Sequence, residues 1–385
     1  MLSTPLRPTV QCVTFFDGLR GWASFSVLLV HIGVALYGWP DFQHEFLKNN
    51  FGKIFWVFFD GTFAVYIFFV LSGVVLSLSF MKNFDTHSLT KIAICRIPRL
   101  GIPVVISTII VFLLLKYGFM YNHEAAILNN RLNVSFNSYY NFTPTIRDMI
   151  KSIPNVFLKG DNSYNNPLWT MRAEFLGSYY LVIFLLIIKF SSIHKIMVVW
   201  ILSTIFLLYK APPLAAFNFG IFVSFVYVNK SDCLLKLRRN KYIQIGMLII
   251  IGVFYGLKLV SGELGYEKIH SFLIGLTAFL IVIGLTFINI FQTFFSYKIS
   301  RFLGKISFPL YIVHTPITCS FTAYLMIKYP EFQSNPMISI IIYVLSGMLA
   351  LIIACCFYPF EKLSIWFSKK IYEFIVEKDL FEEKN

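Results

Sequence analysis

The residues Phe16-Asp17-Gly18-Leu19-Arg20-Gly21-Trp22-Ala23 open the first long apolar stretch of the chain, which continues to Val30-His31. A helix that crosses a bilayer needs about 20 mainly apolar residues, and the stretch 16–38 is long enough. Ionisable side chains are costly in hydrocarbon, so Asp17, Arg20 and His31 are candidates for function. The stretch therefore predicts a membrane helix that carries chemistry.

Helical geometry places these three side chains together. Arg20 and His31 are separated by about three full turns at 3.6 residues per turn, with Asp17 near the same face. The rise between them is roughly 16 Å, so Arg20 lies near one membrane surface and His31 lies deep. Alternatively, Asp17 and Arg20 pair at the interface and His31 is an ordinary bundle histidine. The shared face, beside Gly18 and Gly21 that permit close helix packing, favours function.

The whole composition agrees with a membrane protein. Of 385 residues, 57% are hydrophobic and 14% are charged, whereas soluble domains have about 45–50% and about 25%. This excludes an ordinary soluble domain. We therefore predict an all-α, polytopic membrane helix bundle, a single domain over 1–385, with about ten transmembrane helices. The predicted spans are 16–38, 54–80, 100–117, 174–190, 193–209, 212–228, 243–260, 268–291, 302–327 and 336–359.

Charge gives the bundle a direction. Lys and Arg are concentrated in the loops that lie inside when the N-terminus is inside, which predicts that both termini are cytoplasmic. Residues 118–173 then form a long external loop, and 361–385 form a cytoplasmic tail. The first span reads as a retained helix rather than a cleaved signal peptide. The net charge of +14 could also indicate nucleic acid, but no basic helix or RNA-binding motif accompanies it. The cysteine spacing predicts no metal site.

Other polar residues of the spans have two interpretations each. Arg96 and Arg99 can grip phosphate from the cytoplasmic side, or can be ordinary anchors of the positive-inside type. Ser72, beside Gly73, is a candidate for function, but the pair is equally typical of residues that pack one helix against another. Glu174 opens the fourth span, where the helix dipole favours a carboxylate.

A second histidine lies near mid-membrane. His314-Thr315-Pro316 follows Tyr311 in the ninth span. Proline breaks or kinks a helix locally and frees backbone carbonyls, which a cavity can use. A histidine beside such a break is a candidate for function.

Taken in order, these segments resemble the acyltransferase-3 family of integral membrane acyltransferases. The matching segments cover essentially the whole chain, and they are Phe16 to Gly21 with His31, Phe68 to Gly73, Arg96 to Arg99, Pro167-Leu168-Trp169 with Glu174, Gly304 to Tyr311 with His314, and Tyr358 with Glu361-Lys362. The resemblance implies transfer of an acyl group, usually acetyl, from cytoplasmic acyl-CoA to a hydroxyl of a cell-surface or lipid-linked glycan, such as an O-antigen.

The resemblance also implies roles for single residues. His31 is the expected catalytic histidine, Arg96 and Arg99 belong to the expected acyl-donor site, and Arg20 supports the channel between them. The full set of candidates is His31, Asp17, Glu174 and His314 for catalysis, and Arg20, Arg96, Arg99, Ser72 and Tyr311 for donor or substrate binding. An imidazole suits a base that activates a hydroxyl, and a carboxylate can orient its ring.

Two departures from the family pattern are visible. The fourth-span motif often carries paired acids, whereas Arg172 and a single Glu174 stand here. Many bacterial members append a hydrolase-like domain, and here about 25 residues follow Glu361.

We expect no tightly bound cofactor, with acyl-CoA as donor substrate, a glycan or lipid-linked saccharide as acceptor, membrane lipids as partners and no nucleic acid. The expected location is a bacterial inner membrane. A transporter or exporter is the alternative, although no internal repeat of the transporter kind is visible, and an inactive receptor with this fold is a third possibility.

Overall fold

The computed structural model describes residues 11–38, 56–128, 134–191 and 193–382. These residues are mostly helical and include no strand. The helices are α1 (Gln11–Tyr37), α2 (Gly61–Asn83), α3 (Thr86–Lys116), α4 (Asn122–Leu128), α5 (Val134–Ser138), α6 (Ile146–Leu158), α7 (Trp169–Lys189), α8 (Ile193–Lys210), α9 (Pro212–Asn229), α10 (Ser231–Arg239), α11 (Lys241–Glu263), α12 (Glu267–Gly284), α13 (Asn289–Phe295), α14 (Lys298–Lys305), α15 (Ser307–Ile317), α16 (Ala323–Lys328) and α17 (Pro336–Glu382).

The described residues include 9 helices long and apolar enough to cross a membrane. Many of their large apolar side chains are exposed, among them Ile249 and Val253 of α11, as expected for surfaces that face lipid. The prediction of an all-α polytopic membrane bundle is confirmed. The predicted span 193–209 corresponds to α8, a helix of 18 residues that is not among these nine.

The chain divides into two compact units, each made of several segments. The first unit contains Met1–Ala23, Phe63–Ala93 and Leu176–Lys305, and the second contains Ser24–Thr62, Ile94–Phe175 and Ile306–Asn385, each over its described residues. Four of the long helices, α1, α2, α3 and α7, have residues in both units, although α2 has only Gly61 and Thr62 in the second. The expectation of a single domain over 1–385 stays a prediction.

The first unit has a core at the crossing of α2, α7 and α9. Phe80, Leu181 and Ile221 are buried there together. At the crossing of α2 and α9, a β-carbon on Gly73 would overlap the carbonyl of Phe217, and one on Gly220 would overlap the carbonyl of Val70. Gly73 therefore allows close packing of α2 on α9, as one of the two interpretations of the Ser72-Gly73 pair predicted.

The second unit has its own core, to which α1, α3, α15 and α17 contribute. Leu28, Ile32 and Leu310 are among its buried residues. Tyr343 donates a hydrogen bond of 2.6 Å to the carbonyl of Leu29, which fastens α17 to α1. This core surrounds the helix segments that carry both histidines.

The described part of the predicted loop contains the helices α4, α5 and α6 with turns between them, and the described part of the predicted tail is helical; residues 129–133 and 383–385 lie outside the described part. The side-chain amide of Asn122 donates hydrogen bonds to the carbonyls of Phe136 (3.1 Å) and Tyr139 (3.0 Å), which joins α4 to α5 and to the residue that follows it. Burial, followed by the nearby Cys319 thiol, raises the pKa of Tyr139 to about 12. The segment after Glu361 continues α17, and Ser368 on it accepts a hydrogen bond from the Cys95 thiol at 3.3 Å.

Candidate active site

The second unit brings His31 and His314 together. Their ring centroids lie 4.6 Å apart at an interplanar angle of 63°. The Nδ1 atom of His31 lies 2.8 Å from the carbonyl oxygen of Val27, and that of His314 lies 2.7 Å from the carbonyl oxygen of Tyr311. A carbonyl only accepts, so each Nδ1 carries a hydrogen, and in the neutral ring Nε2 then keeps a lone pair. Both rings are thus held in the tautomer that a base needs.

The two rings differ in access. His314 is 1% exposed, whereas His31 keeps part of its surface open. Within the described residues, Nε2 of His314 has no hydrogen-bond partner. His31 is therefore the more exposed of the two rings, and His314 is buried against it.

The ring orientations come from the backbone and not from a carboxylate. The sequence argument allowed a carboxylate to orient the base, but among the described residues the polar partners of both Nδ1 atoms are carbonyls of their own helices. A carbonyl three or four residues back on the same helix is supplied by the fold itself. The geometry is thus that of a histidine pair rather than a histidine–carboxylate pair.

Pro316 leaves a specific gap, and Asn165 fills it. Pro316 lies inside the helical segment α15 and has no N–H to offer the carbonyl of Ile312, four residues earlier. The Asn165 amide donates a hydrogen bond of 3.0 Å to that carbonyl. A π-helical turn at Thr318–Thr322 then continues the segment. The sequence analysis suggested that a cavity could use the freed carbonyl. In the structure the Asn165 side chain caps it instead.

The same segment is joined a second time, through Tyr311. Its hydroxyl lies 3.1 Å from the Thr170 hydroxyl and 3.3 Å from the carbonyl of Pro167. Tyr311 itself is 6% exposed, and its ring centroid lies 5.7 Å from that of His314. Tyr311 was predicted to bind substrate. In the structure its own carbonyl accepts the hydrogen bond from His314, and its ring packs near the His314 ring.

Arg96 and Glu174 form a buried ion pair. The guanidinium of Arg96 donates to the Glu174 carboxylate, and the two side chains are only 9% and 11% exposed. The predicted span 100–117 placed Arg96 and Arg99 at the start of a helix. In the structure α3 begins at Thr86, so both arginines lie inside the helix. Arg99 is exposed. The arginine predicted to bind phosphate beside Arg99 is therefore already engaged by a carboxylate.

The remaining candidates belong to the first unit. Arg20 donates to Asp17 at 3.3 Å, as the pairing alternative for the first span required. Ser72 lies on α2 and is half-buried. The roles proposed for these three residues stay predictions.

Asn165 and Thr170 were not among the predicted site residues. The sequence offers one signal, since a proline inside an apolar span calls for a donor to the carbonyl four residues earlier. It does not say which residue supplies that donor, because Asn165 and Ile312 are 147 positions apart.

A membrane helix bundle with two facing imidazoles, one of them buried, and a buried ion pair defines a membrane-embedded protein with acid–base groups in its interior. The acyltransferase domain model of the acyltransferase-3 family matches residues 13–358. The chain belongs to this family, and the resemblance seen in the sequence is confirmed.

The chain is also similar to the O-acetyltransferase PaAT-1 of Phomopsis amygdali, with 28% identity over 214 residues, which cover 49% of this chain and 43% of that protein. The chain thus matches less than half the length of this relative. No solved structure shows significant similarity to the chain.

Proposed function

We propose that this protein is a membrane O-acyltransferase that moves an acetyl group from cytoplasmic acyl-CoA to a hydroxyl of a cell-surface or lipid-linked glycan. The observation that supports it most is the His31–His314 pair, with both Nδ1 hydrogens held by carbonyls inside a chain of the acyltransferase-3 family. The similarity to an O-acetyltransferase favours acetyl as the group and oxygen as the acceptor atom.

The proposed reaction joins the acceptor oxygen to the acyl carbon and breaks the bond from that carbon to the sulfur of CoA. Nε2 of His31 takes the proton of the acceptor hydroxyl as the C–O bond forms. The same proton then goes to the sulfur that leaves, so the products are the ester and CoA thiol. His31 is the catalytic residue in this scheme because it is the accessible ring.

His314 serves as a positioning residue in this proposal. Its ring is buried against His31, and it fills the space into which His31 would otherwise turn. Two positive charges about 4.6 Å apart repel strongly in a poorly polar interior. The pair therefore holds one extra proton more readily than two, which suits a base that gains and loses one proton per turnover.

The donor site in this proposal contains the Arg96–Glu174 ion pair and Arg99. In this proposal Arg96, paired with Glu174, supports the cytoplasmic end of the donor site, and the exposed Arg99 contacts the donor phosphates. Glu174 is then a partner of Arg96 and acts on the reaction through it.

The test is transfer from labelled acetyl-CoA by the purified full chain in lipid nanodiscs. Extracts of surface and lipid-linked glycans serve as acceptors, and mass spectrometry detects the ester. We expect incorporation by the wild type and by His87→Ala, an exposed histidine of α3, and none by His31→Ala. Full incorporation by His31→Ala would remove it as the base. No incorporation by the wild type, with movement of glycan across vesicles, would support an exporter instead.

A further inference from the structure

A cavity of about 440 Å³ lies in the first unit, between the end of α8 and the start of α12. Its lining has an apolar part, with Ile205, Leu208 and Phe272, and a charged part, with Glu267 and Lys268. Pockets that hold small ligands typically have about 300–1,000 Å³ and combine apolar walls with a few polar groups. This α8–α12 cavity therefore has the size and the lining of a binding site.

The apolar part of the cavity continues onto the surface of α8. Ile205 is 61% exposed, and Ile201 is 45% exposed and lies four residues earlier, on the same face of the helix. On the other side of the cavity, Phe272 is 41% exposed and belongs to α12, one of the helices able to cross a membrane. Exposed apolar side chains on such helices meet lipid chains. The cavity is therefore open to the acyl chains of a membrane lipid.

The charged part of the cavity lies where the two helices end. α8 ends at Lys210, and α12 begins at Glu267. The ammonium groups of Lys210 and Lys268 lie 5.0 Å and 5.6 Å from the ring centroid of Tyr209. Polar residues and tyrosines at the ends of apolar helices mark the level of the lipid headgroups. The cavity thus offers charges of both signs at the depth where a headgroup lies.

Glu267 gives the cavity a negative group that can receive a cation. Among the described residues, its carboxylate makes no hydrogen bond and no ion pair. An ionised carboxylate accepts hydrogen bonds only, and those from an ammonium group are among the strongest. The neighbouring cation, Lys268, supplies the complementary donor for an anion. The two residues together match a ligand that carries one positive and one negative group.

We propose that the α8–α12 cavity binds an aminophospholipid, a membrane lipid with a phosphate and a primary ammonium in its headgroup. Lys268 binds the phosphate, Glu267 binds the ammonium, and the upper acyl chains lie along Ile205 and Phe272. A quaternary ammonium, as in phosphatidylcholine, has no N–H to donate to Glu267. A headgroup that is only anionic lacks a cation for this carboxylate. Phosphatidylethanolamine therefore fits the cavity better than either.

The experiment measures lipid binding to the purified, delipidated full chain in detergent by native mass spectrometry. Dioleoyl phosphatidylethanolamine and dioleoyl phosphatidylcholine are titrated separately. We expect the wild type to bind phosphatidylethanolamine about tenfold more tightly, the scale of a charge-assisted hydrogen bond. Glu267→Gln should lower that affinity to the value for phosphatidylcholine and leave phosphatidylcholine binding unchanged, which shows that the variant is folded. Lys268→Gln should weaken binding of both lipids by a similar factor.

Glu263→Gln and Lys241→Gln, at exposed positions of α11 outside the cavity lining, are the matched controls and should bind both lipids as the wild type does. Equal wild-type affinities for the two lipids, or an unchanged preference in Glu267→Gln, would overturn the proposal. Glycerophosphoethanolamine, the headgroup without chains, should bind far more weakly, and equal binding would exclude a lipid as the occupant. Displacement of the lipid by the soluble saccharides maltose or chitobiose would also overturn it and assign the cavity to a sugar.

Discussion

The side-chain amide of Asn165 donates a 3.0 Å hydrogen bond to the carbonyl of Ile312, the carbonyl that Pro316 deprives of its helical partner. Asn165 is 0% exposed and Ile312 is 0% exposed, so water does not take the place of this bond. The bond joins the residues before α7 to the helix that carries His314. The shape of the candidate site thus depends on a residue outside the helices that bear the histidines.

Replacing this amide should therefore destabilise the protein. Asn165→Ala leaves a buried carbonyl without a partner, which costs about 1–3 kcal/mol in the free energy of unfolding. Pro316→Ala returns an N–H at position 316 that can bond to the same carbonyl. In that background Asn165→Ala should cost less, and the difference, measured by unfolding in detergent, is the coupling between the two positions. Equal costs in both backgrounds would show that the amide does not act as the cap.

The two histidines should respond differently to substitution. His31→Ala should lower kcat for acetyl transfer about 10²–10⁴-fold, as for loss of a general base. His314→Gln should lower kcat by a smaller factor and leave KM for acetyl-CoA near the wild-type value, because His314 is buried behind His31. His87→Ala is the matched control. A loss at His314 as large as at His31, or a loss that appears in KM alone, would contradict this division.

Much of the fold could be predicted because it depends on local sequence. The predicted span 16–38 matches α1, and 212–228 matches α9, since apolar runs of this length form helices wherever they lie in a bilayer. The helix ends were harder to place. α3 begins at Thr86 and α17 runs to Glu382, because polar residues continue a helix beyond the apolar run that the search detects.

The site could be predicted only in part. His31 and His314 were found because ionisable groups in an apolar run stand out, but their contact joins residues far apart in the sequence. The pairing of Arg96 with Glu174 could not be predicted either, since each residue has an ordinary local interpretation. These partners are residues that the fold brings together from distant parts of the chain, and a single sequence does not show which distant residues are in contact.

The Arg96–Glu174 pair should be sensitive to loss of one partner. Glu174→Gln leaves a buried guanidinium without its counter-charge, which costs about 3–5 kcal/mol in the free energy of unfolding. The double replacement Arg96→Met/Glu174→Met should cost less than either change alone. The exposed pair Lys370–Glu373, at 59% and 48% exposure, is the control, and Glu373→Gln should change the free energy by less than about 1 kcal/mol. Equal effects at the two pairs would contradict the burial argument.

The crossing of α2 and α9 gives a test of packing that is independent of the site. Gly220→Ala would place a methyl group against the carbonyl of Val70, and such overpacking costs about 1–3 kcal/mol in the free energy of unfolding. Gly252→Ala on α11 is the matched control, because nothing lies within 4 Å of a β-carbon there. That change should be neutral or stabilise the helix by up to about 1 kcal/mol. When both variants are unfolded in detergent, the free energy of unfolding should fall for Gly220→Ala and should stay the same or rise for Gly252→Ala. If Gly220→Ala proved as harmless as Gly252→Ala, the two helices would not be in backbone contact at this position.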